Sequence, residues 1–159
     1  MIDYLFWQRL KIAYNWLGED VNVLDFGCGT GIFSFLAANK AKRICGLDIV
    51  EKPSRLIRDK IDFPKNVDFQ YKDLIDLDVK PGSFDIIVAL DVLEHIQNMD
   101  NYLIKFNQLL SPDGVIIISG PTENWLYKLG RKIAGRRFTG DYHEKNIFNI
   151  ESDMDKYFD

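Results

Sequence analysis

The stretch Val23-Leu24-Asp25-Phe26-Gly27-Cys28-Gly29-Thr30-Gly31 decides the fold. A short apolar run, typical of a buried strand, ends in a Gly-x-Gly-x-Gly turn, and a helix-forming segment follows at once. Glycines at this spacing allow a tight turn and let a ligand approach the backbone with no side chain in the way. Ligands of open parallel sheets bind at the carboxyl ends of the strands, so this stretch predicts a ligand-binding loop there.

The spacing of the glycines discriminates between ligands. A dinucleotide fingerprint would place its third glycine at position 32, where Ile32 stands, and the third glycine here is Gly31. An NAD-dependent oxidoreductase is therefore the weaker interpretation of the loop. A tight strand-to-helix turn that binds nothing remains the purely structural alternative.

Apolar runs and helix-forming segments alternate along the chain. Residues 21–26, 43–47, 67–70, 84–89 and 115–119 are predicted strands, and 4–17, 30–38, 53–60 and 99–110 are predicted helices. The run 86–90 is continuously apolar, which is typical of a parallel strand covered on both faces. This order predicts an α/β fold, a three-layer doubly wound Rossmann-like parallel sheet. The first helix carries aromatic residues around much of its circumference, so it packs on the sheet or covers a pocket.

Composition limits the class of protein. The chain has 159 residues, of which 47% are apolar, enough for a single domain with a real core. A net charge of −4 gives no reason to expect nucleic acid as a partner. Cys28 and Cys45 lie in apolar or glycine-rich segments, which favours a reducing compartment, and no apolar run is long enough for membrane insertion. We expect a cytoplasmic protein.

Several motifs in order resemble the class I S-adenosylmethionine-dependent methyltransferases, over about residues 21–119. The motifs are Leu24-Asp25-Phe26-Gly27-Cys28-Gly29-Thr30-Gly31, Leu47-Asp48-Ile49, Lys72-Asp73-Leu74, residues 84–96 ending in Leu93-Glu94-His95-Ile96, and Leu109-Leu110-Ser111-Pro112-Asp113-Gly114. The form Leu-Glu-His-Ile is similar to the branch that acts on quinone precursors, sugars, lipids and other small molecules. The resemblance implies S-adenosylmethionine as cofactor and a methyl group as the transferred unit.

The same resemblance implies a role for each cofactor-binding residue. Gly27, Cys28 and Gly29 would lie against the methionine part, with Asp25 near its amino group, where a carboxylate suits a cation. Gly31 belongs to the same cofactor-binding loop. Asp48 would accept from both ribose hydroxyls, and Ile49 would lie on the adenine. Asp73 would accept from the adenine amino group with Leu74 beside it, and Leu90 would line the methionine and adenine side. For Asp48 and Asp73, a helix cap or a solvated turn is the structural alternative.

Methyl transfer from a sulfonium needs a positioned acceptor and exclusion of water, and a general base if the acceptor is a hydroxyl. The two histidines, His95 and His143, are the candidates, and they form no zinc-type cluster with the cysteines, so no metal is expected. His143 follows the fifth strand, where the family builds its acceptor pocket; a surface histidine is the alternative. His95 serves either the substrate or the bracing of the loop after the fourth strand.

Basic residues concentrate in a predicted helix over residues 123–134 and just beyond it. They are Lys128, Arg131, Lys132, Arg136 and Arg137. Interleaved apolar residues make the segment amphipathic, so it fits an anionic or lipid-like acceptor or a membrane surface. A helix with a solvated basic face is the alternative.

The family sheet usually ends in an antiparallel hairpin beside the fifth strand, and this chain ends where that hairpin would begin. The resemblance therefore divides the chain into an N-terminal helix (1–20), a cofactor-binding core (21–119) and an acceptor-side segment (120–159). An uncovered fifth strand would be an apolar edge, so a homodimer that covers it is one expectation. A non-catalytic cofactor-binding or regulatory module is the alternative to an enzyme.

Overall fold

The computed structural model describes residues 2–120 and 147–158. The strands are β1 (Asn22–Phe26), β2 (Arg43–Asp48), β3 (Val67–Tyr71), β4 (Phe84–Leu90) and β5 (Leu110–Ser119). The α-helices are α1 (Ile2–Trp16), α2 (Ile32–Ala37), α3 (Lys52–Arg58), α4 (Met99–Leu109) and α5 (Ile147–Met154). Two short 3-10 helices, Leu74–Asp76 and Leu93–His95, follow β3 and β4. The predicted helix at 123–134 lies outside the described residues.

All five strands are parallel, in the order β3-β2-β1-β4-β5. The chain order reverses between β1 and β4, so the loops after these two strands flank the switch point of the sheet. Ligands of open α/β sheets bind in the crevice at such a point. The predicted doubly wound parallel sheet is confirmed, and the glycine-rich turn lies at its carboxyl edge.

The core has one cluster on each face of the sheet, because successive side chains of a strand point to opposite faces. One cluster joins α1 and α2 to Val23, Ile44 and Val88. The other joins α4 and Ile150 of α5 to Leu24, Leu47 and Ile87. Residues Ile86, Ile87, Val88 and Ala89 are all buried, which confirms that β4 is covered on both faces.

Helix α1 runs antiparallel to the strands on the α2 face. Its carboxyl end lies at the amino edge of the sheet, where the Lys40 ammonium donates to the carbonyl oxygens of Tyr14 and Leu17 at 3.3 and 3.2 Å. In the middle of the helix, Arg9 pairs with Asp91, which directly follows β4. The amino end of α1 therefore lies at the carboxyl edge, beside the predicted site.

Strand β5 begins earlier than predicted and contains an irregularity. Leu110 pairs with Phe84 and Val115 pairs with Ile86, so residues 111–114 bulge out of the ladder. Proline lacks the amide that a ladder needs, which is why Ser111-Pro112-Asp113-Gly114 forms a bulge inside the strand. Within the described part of the chain β5 is an edge strand, and Val115 is half exposed.

Candidate ligand-binding site

The glycine-rich turn between β1 and α2 is built on a left-handed backbone. Gly27, Gly29 and Gly31 have φ angles of 71°, 52° and 78°, which only glycine adopts without strain. The amides of Gly27 and Cys28 donate to the carbonyl oxygen of Leu47 at 2.8 and 3.2 Å. These bonds fix the turn to the end of β2 and bring the two loops side by side.

The surroundings of the three glycines differ. A Cβ on Gly27 would meet Val92 at 2.5 Å, and one on Gly31 would meet the Phe69 ring at 2.6 Å. At Gly29 the nearest atom would be a backbone oxygen 4.0 Å away. Gly27 and Gly31 are thus required by packing, whereas Gly29 leaves a side-chain-sized space open at the edge of the sheet.

Asp48, the last residue of β2, connects two loops through its carboxylate. One oxygen accepts from the Gly29 amide and the other from the Val50 amide, each at 2.9 Å. A carboxylate offers about four lone-pair sites, so each oxygen keeps acceptor capacity for a further donor. Ile49, the next residue, is 74% exposed, which is unusual for a large aliphatic side chain beside a polar loop.

Asp25 lies beneath the glycine turn and faces α2. It is buried and accepts a hydrogen bond of 2.5 Å from the Ser34 hydroxyl. Burial raises the pKa of this carboxyl to about 6, against the opposing effect of the Ser34 hydrogen bond. The structure therefore places Asp25 inside the protein, one layer below the open space at Gly29.

Asp73 caps the 3-10 helix after β3. One carboxylate oxygen accepts from the Ile75 amide at 2.9 Å, and the other accepts from the Tyr102 hydroxyl at 2.6 Å. Burial and this hydrogen bond to Asp73 raise the pKa of Tyr102 to about 12. Tyr102 was not predicted from the sequence. The sequence feature that points to it is its position on α4, directly before the core residues Leu103 and Phe106.

Two further predicted contact residues, Leu74 and Leu90, lie wholly or partly in the core. Leu74 is fully buried in the α4-side core, so its side chain does not reach the surface of the site. Leu90, at the end of β4, is half-buried in the cluster under α1. The structure brings Gly27, Gly29, Asp48 and Ile49 together at the open edge and puts Leu74 in the interior.

A three-way junction closes the β4 end of the site. The Asp91 carboxylate accepts from Arg9 at 2.5 Å and from the Ser119 hydroxyl at 3.2 Å, joining α1, β4 and β5. Asp91 has a φ of 53°, a left-handed conformation that is uncommon for a residue with a side chain. Sequence reasoning missed this junction, since no spacing rule connects Arg9 with a residue 82 positions away.

Cys28 contributes its backbone to the site. Its side chain is buried, and burial raises the pKa of the thiol far above its usual range; burial also raises the pKa of Cys45 to about 11. A thiol with a raised pKa is a poor nucleophile. Cys28 therefore contributes to the site through its backbone amide, which donates to the Leu47 carbonyl oxygen.

The structure describes one of the two histidine candidates. His95 is exposed at the end of the 3-10 helix after β4, next to the buried Glu94. His143 and the basic residues between positions 128 and 137 lie outside the described residues. Among residues 2–120 and 147–158 there is no group of three or more metal-ligating side chains, and no helix there is long and apolar enough to cross a membrane.

Comparison with known proteins identifies the family. The model of the methyltransferase domain family matches residues 4–156. A protein of Mycolicibacterium smegmatis named "Probable S-adenosylmethionine-dependent methyltransferase" is 32% identical over 111 residues, covering 70% of this chain and 41% of that protein. A ubiquinone biosynthesis O-methyltransferase of Bradyrhizobium diazoefficiens is 27% identical, covering 94% of this chain and 60% of its own length.

Solved structures share the fold. YcgJ from Bacillus subtilis superposes with a TM-score of 0.74 at 18% identity, covering 94% of this chain and 67% of that one. The N-methyltransferase NodS from Bradyrhizobium japonicum, solved with S-adenosyl-L-homocysteine, gives 0.69 at 18% identity and covers 94% and 70%.

The chain spans about half the length of the curated relatives it matches. The family model nevertheless covers the glycine turn, the acidic residues after β2 and β3, and the Leu-Glu-His-Ile segment after β4. The chain therefore belongs to the methyltransferase domain family.

Proposed function

We propose that this chain is an S-adenosylmethionine-dependent methyltransferase that acts on a small-molecule acceptor. The observation that carries the proposal is the carboxylate of Asp48. It is fixed by the Gly29 and Val50 amides at the carboxyl edge, and both of its oxygens keep acceptor capacity. Family membership supports the same conclusion.

The residues at the edge fit the cofactor. Asp48 would accept from the two ribose hydroxyls, and the exposed Ile49 would lie against the adenine. The open space at Gly29 admits the methionine part close to the backbone. Asp73 would accept from the adenine amino group while Tyr102 holds its other oxygen. Buried Asp25 would act on the amino group through the field of its charge.

Bound S-adenosylmethionine supplies a methyl group already activated by its sulfonium. The chain then has to bind and orient the acceptor and keep water out. If the acceptor is a hydroxyl, a neutral histidine near pH 7 serves as general base. His95 and His143 are our candidates for that proton transfer.

The remaining assignments follow from the family and the charge pattern. We assign residues 21–119 to cofactor binding, and the helix at 1–20 and the segment at 120–159 to the acceptor side. The basic residues from Lys128 to Arg137 favour an anionic or lipid-like acceptor. Among the described residues β5 is an edge strand, which favours a homodimer that covers it, and the buried cysteines favour the cytoplasm.

Calorimetric titration with S-adenosylhomocysteine tests the proposal. We expect a dissociation constant on the order of micromolar for the wild type, weakened by at least about tenfold in Asp48→Asn. Asp68→Asn is the matched control, because Asp68 is an exposed carboxylate on neighbouring β3 whose nearest cation is Arg43 at 3.9 Å. A folded wild type that fails to bind, or equal binding by Asp48→Asn, would refute it.

A further inference from the structure

Helix α1 presents one stripe of residues to the sheet. Phe6, Leu10, Ala13 and Leu17 recur at helical spacing, so they lie on one side of the helix. Leu10, Ala13 and Leu17 are at most 4% exposed in the core under α1. Phe6, on the same stripe, is 41% exposed. The stripe that faces the sheet therefore continues beyond the sheet at Phe6.

The position of Arg9 locates where the sheet ends. Arg9 contacts Asp91, the first residue after β4, so the carboxyl edge lies level with this turn of α1. Phe6 is three residues closer to the amino end, about 4.5 Å further along the axis, and helical side chains tilt in that same direction. The Phe6 ring, which packs edge-to-face on Trp7 with ring centroids 5.8 Å apart, therefore lies above the carboxyl edge of the sheet near the end of β4.

Leu5 extends the same apolar surface. It precedes Arg9 by four residues, which places it directly above Arg9 on the side of Asp91, and it is half exposed. The charge of Arg9 beside it is offset by Asp91. Leu90, at the end of β4, packs with the cluster under α1 and adds apolar surface at the same edge of the sheet.

We propose that Leu5 and Phe6 form a wall of the acceptor subsite, and that the acceptor presents an uncharged apolar group, a ring or a hydrocarbon, to α1. The inference rests on the proposed function, because it takes the space between Gly29 and α1 as the place where the acceptor meets the cofactor. We assign this apolar surface to a small acceptor because it adjoins the carboxyl edge of the sheet, where the cofactor would bind. Burial of the aromatic ring against such a group is favourable because it removes apolar surface from water.

The test uses 2-naphthol, an uncharged planar alcohol, as the probe, titrated into the full chain saturated with S-adenosylhomocysteine. We expect a dissociation constant on the order of millimolar, as for a small fragment. Phe6→Ala should weaken this binding about tenfold, and Phe6→Leu, which keeps an apolar side chain, should restore most of it. Affinity for S-adenosylhomocysteine itself should not change in either variant.

Tyr4→Ala is the matched control. Tyr4 carries a similar ring in the same turn but points away from the sheet, two positions and about 200° from Phe6, and is 65% exposed. Equal naphthol binding by wild type and Phe6→Ala, or an equal loss in Tyr4→Ala, would overturn the inference. Wild-type cosedimentation with phosphatidylcholine vesicles that Phe6→Ala abolishes would overturn it in favour of a lipid surface.

The two proposals fail separately. A chain that binds S-adenosylhomocysteine but shows no effect of Phe6→Ala on naphthol refutes the apolar wall alone. A chain that never binds S-adenosylhomocysteine refutes the proposed function. Naphthol binding that depends on Phe6 in such a chain would show an apolar binding surface and overturn its assignment to an acceptor subsite.

Discussion

The ring of Phe69 on β3 fills the space into which a Cβ of Gly46 on β2 would project. The two residues are direct partners in the parallel ladder, and the added Cβ would lie 2.7 Å from two ring atoms. The same ring lies 2.6 Å from the corresponding position on Gly31. One phenylalanine thus packs against the backbone of β2 and against the ligand-binding turn.

This packing predicts a compensating pair of substitutions. Gly46→Ala should lower the free energy of unfolding by about 1–3 kcal/mol, because the new methyl group overpacks the site. In a Phe69→Leu background the same change should cost measurably less, because a leucine can rotate away. A double-mutant cycle of denaturant unfolding measures the difference.

Phe63→Leu provides the control for that cycle. Phe63 packs edge-to-face on Phe69 with ring centroids 5.1 Å apart, but it is not among the nearest neighbours of the Gly46 position. It should leave the cost of Gly46→Ala unchanged. An identical cost in all three backgrounds would show that Phe69 does not set the requirement for glycine.

Asp25 predicts a pH dependence of stability. Its pKa is raised by burial to about 6 from 3.8, so the folded state holds this proton more tightly than the unfolded state. The contribution of this group to the free energy of unfolding is greatest below pH 4. It falls by about 3 kcal/mol as the pH rises from about 4 through 6. The free energy of unfolding of Asp25→Asn, relative to that of the wild type, should therefore increase by the same amount from pH 4 to pH 7. Parallel unfolding profiles for the two proteins would contradict the assignment.

Substitutions at Asp91 separate the effect of backbone strain on stability from the effect of the ion pair with Arg9. Asp91→Ala and Asp91→Gly both remove the carboxylate, but only the alanine keeps a Cβ at a φ of 53°. We expect the glycine variant to be more stable than the alanine variant by about 1 kcal/mol in thermal or denaturant unfolding. Equal stabilities would mean that the left-handed conformation relaxes once the carboxylate is gone.

Tyr102→Phe should weaken the cap that Asp73 forms on the 3-10 helix. The variant loses one hydrogen bond, which costs about 0.5–1.5 kcal/mol of unfolding free energy. If Asp73 also holds the adenine amino group, affinity for S-adenosylhomocysteine should drop several-fold in the same variant. Calorimetry measures the second effect, and Tyr4→Phe, on an exposed residue outside this network, is the control. A stability loss with unchanged affinity would leave Asp73 as a cap only.

The sequence predicted what depends on local pattern. The parallel sheet, the position of the glycine turn and the acidic residues at the ends of β2 and β3 all follow from hydrophobic runs and glycine spacing. The approximate helix bounds follow too: 99–110 was predicted, and Met99–Leu109 was found. Within residues 2–120 and 147–158, β5 is the edge strand of the sheet.

Contacts between distant segments could not be predicted in the same way. Arg9 and Asp91, or Tyr102 and Asp73, meet only because α1 and α4 pack at particular heights along the sheet. The sequence also does not predict the direction in which a side chain points. Asp25 and Leu74 stand in the right motifs, but burial turns one toward Ser34 and puts the other in the core.

The rotamer of Asp48 is held by the protein's own amides, at Gly29 and Val50, so the side chain is preorganised. A ligand that engages it does not have to freeze a freely rotating carboxylate, which would otherwise cost about 0.5–1.5 kcal/mol for an immobilised side chain. The two amides belong to different loops. Any ligand that draws Asp48 away from either one would therefore loosen both loops together, and tight binding selects ligands that leave the carboxylate where it is.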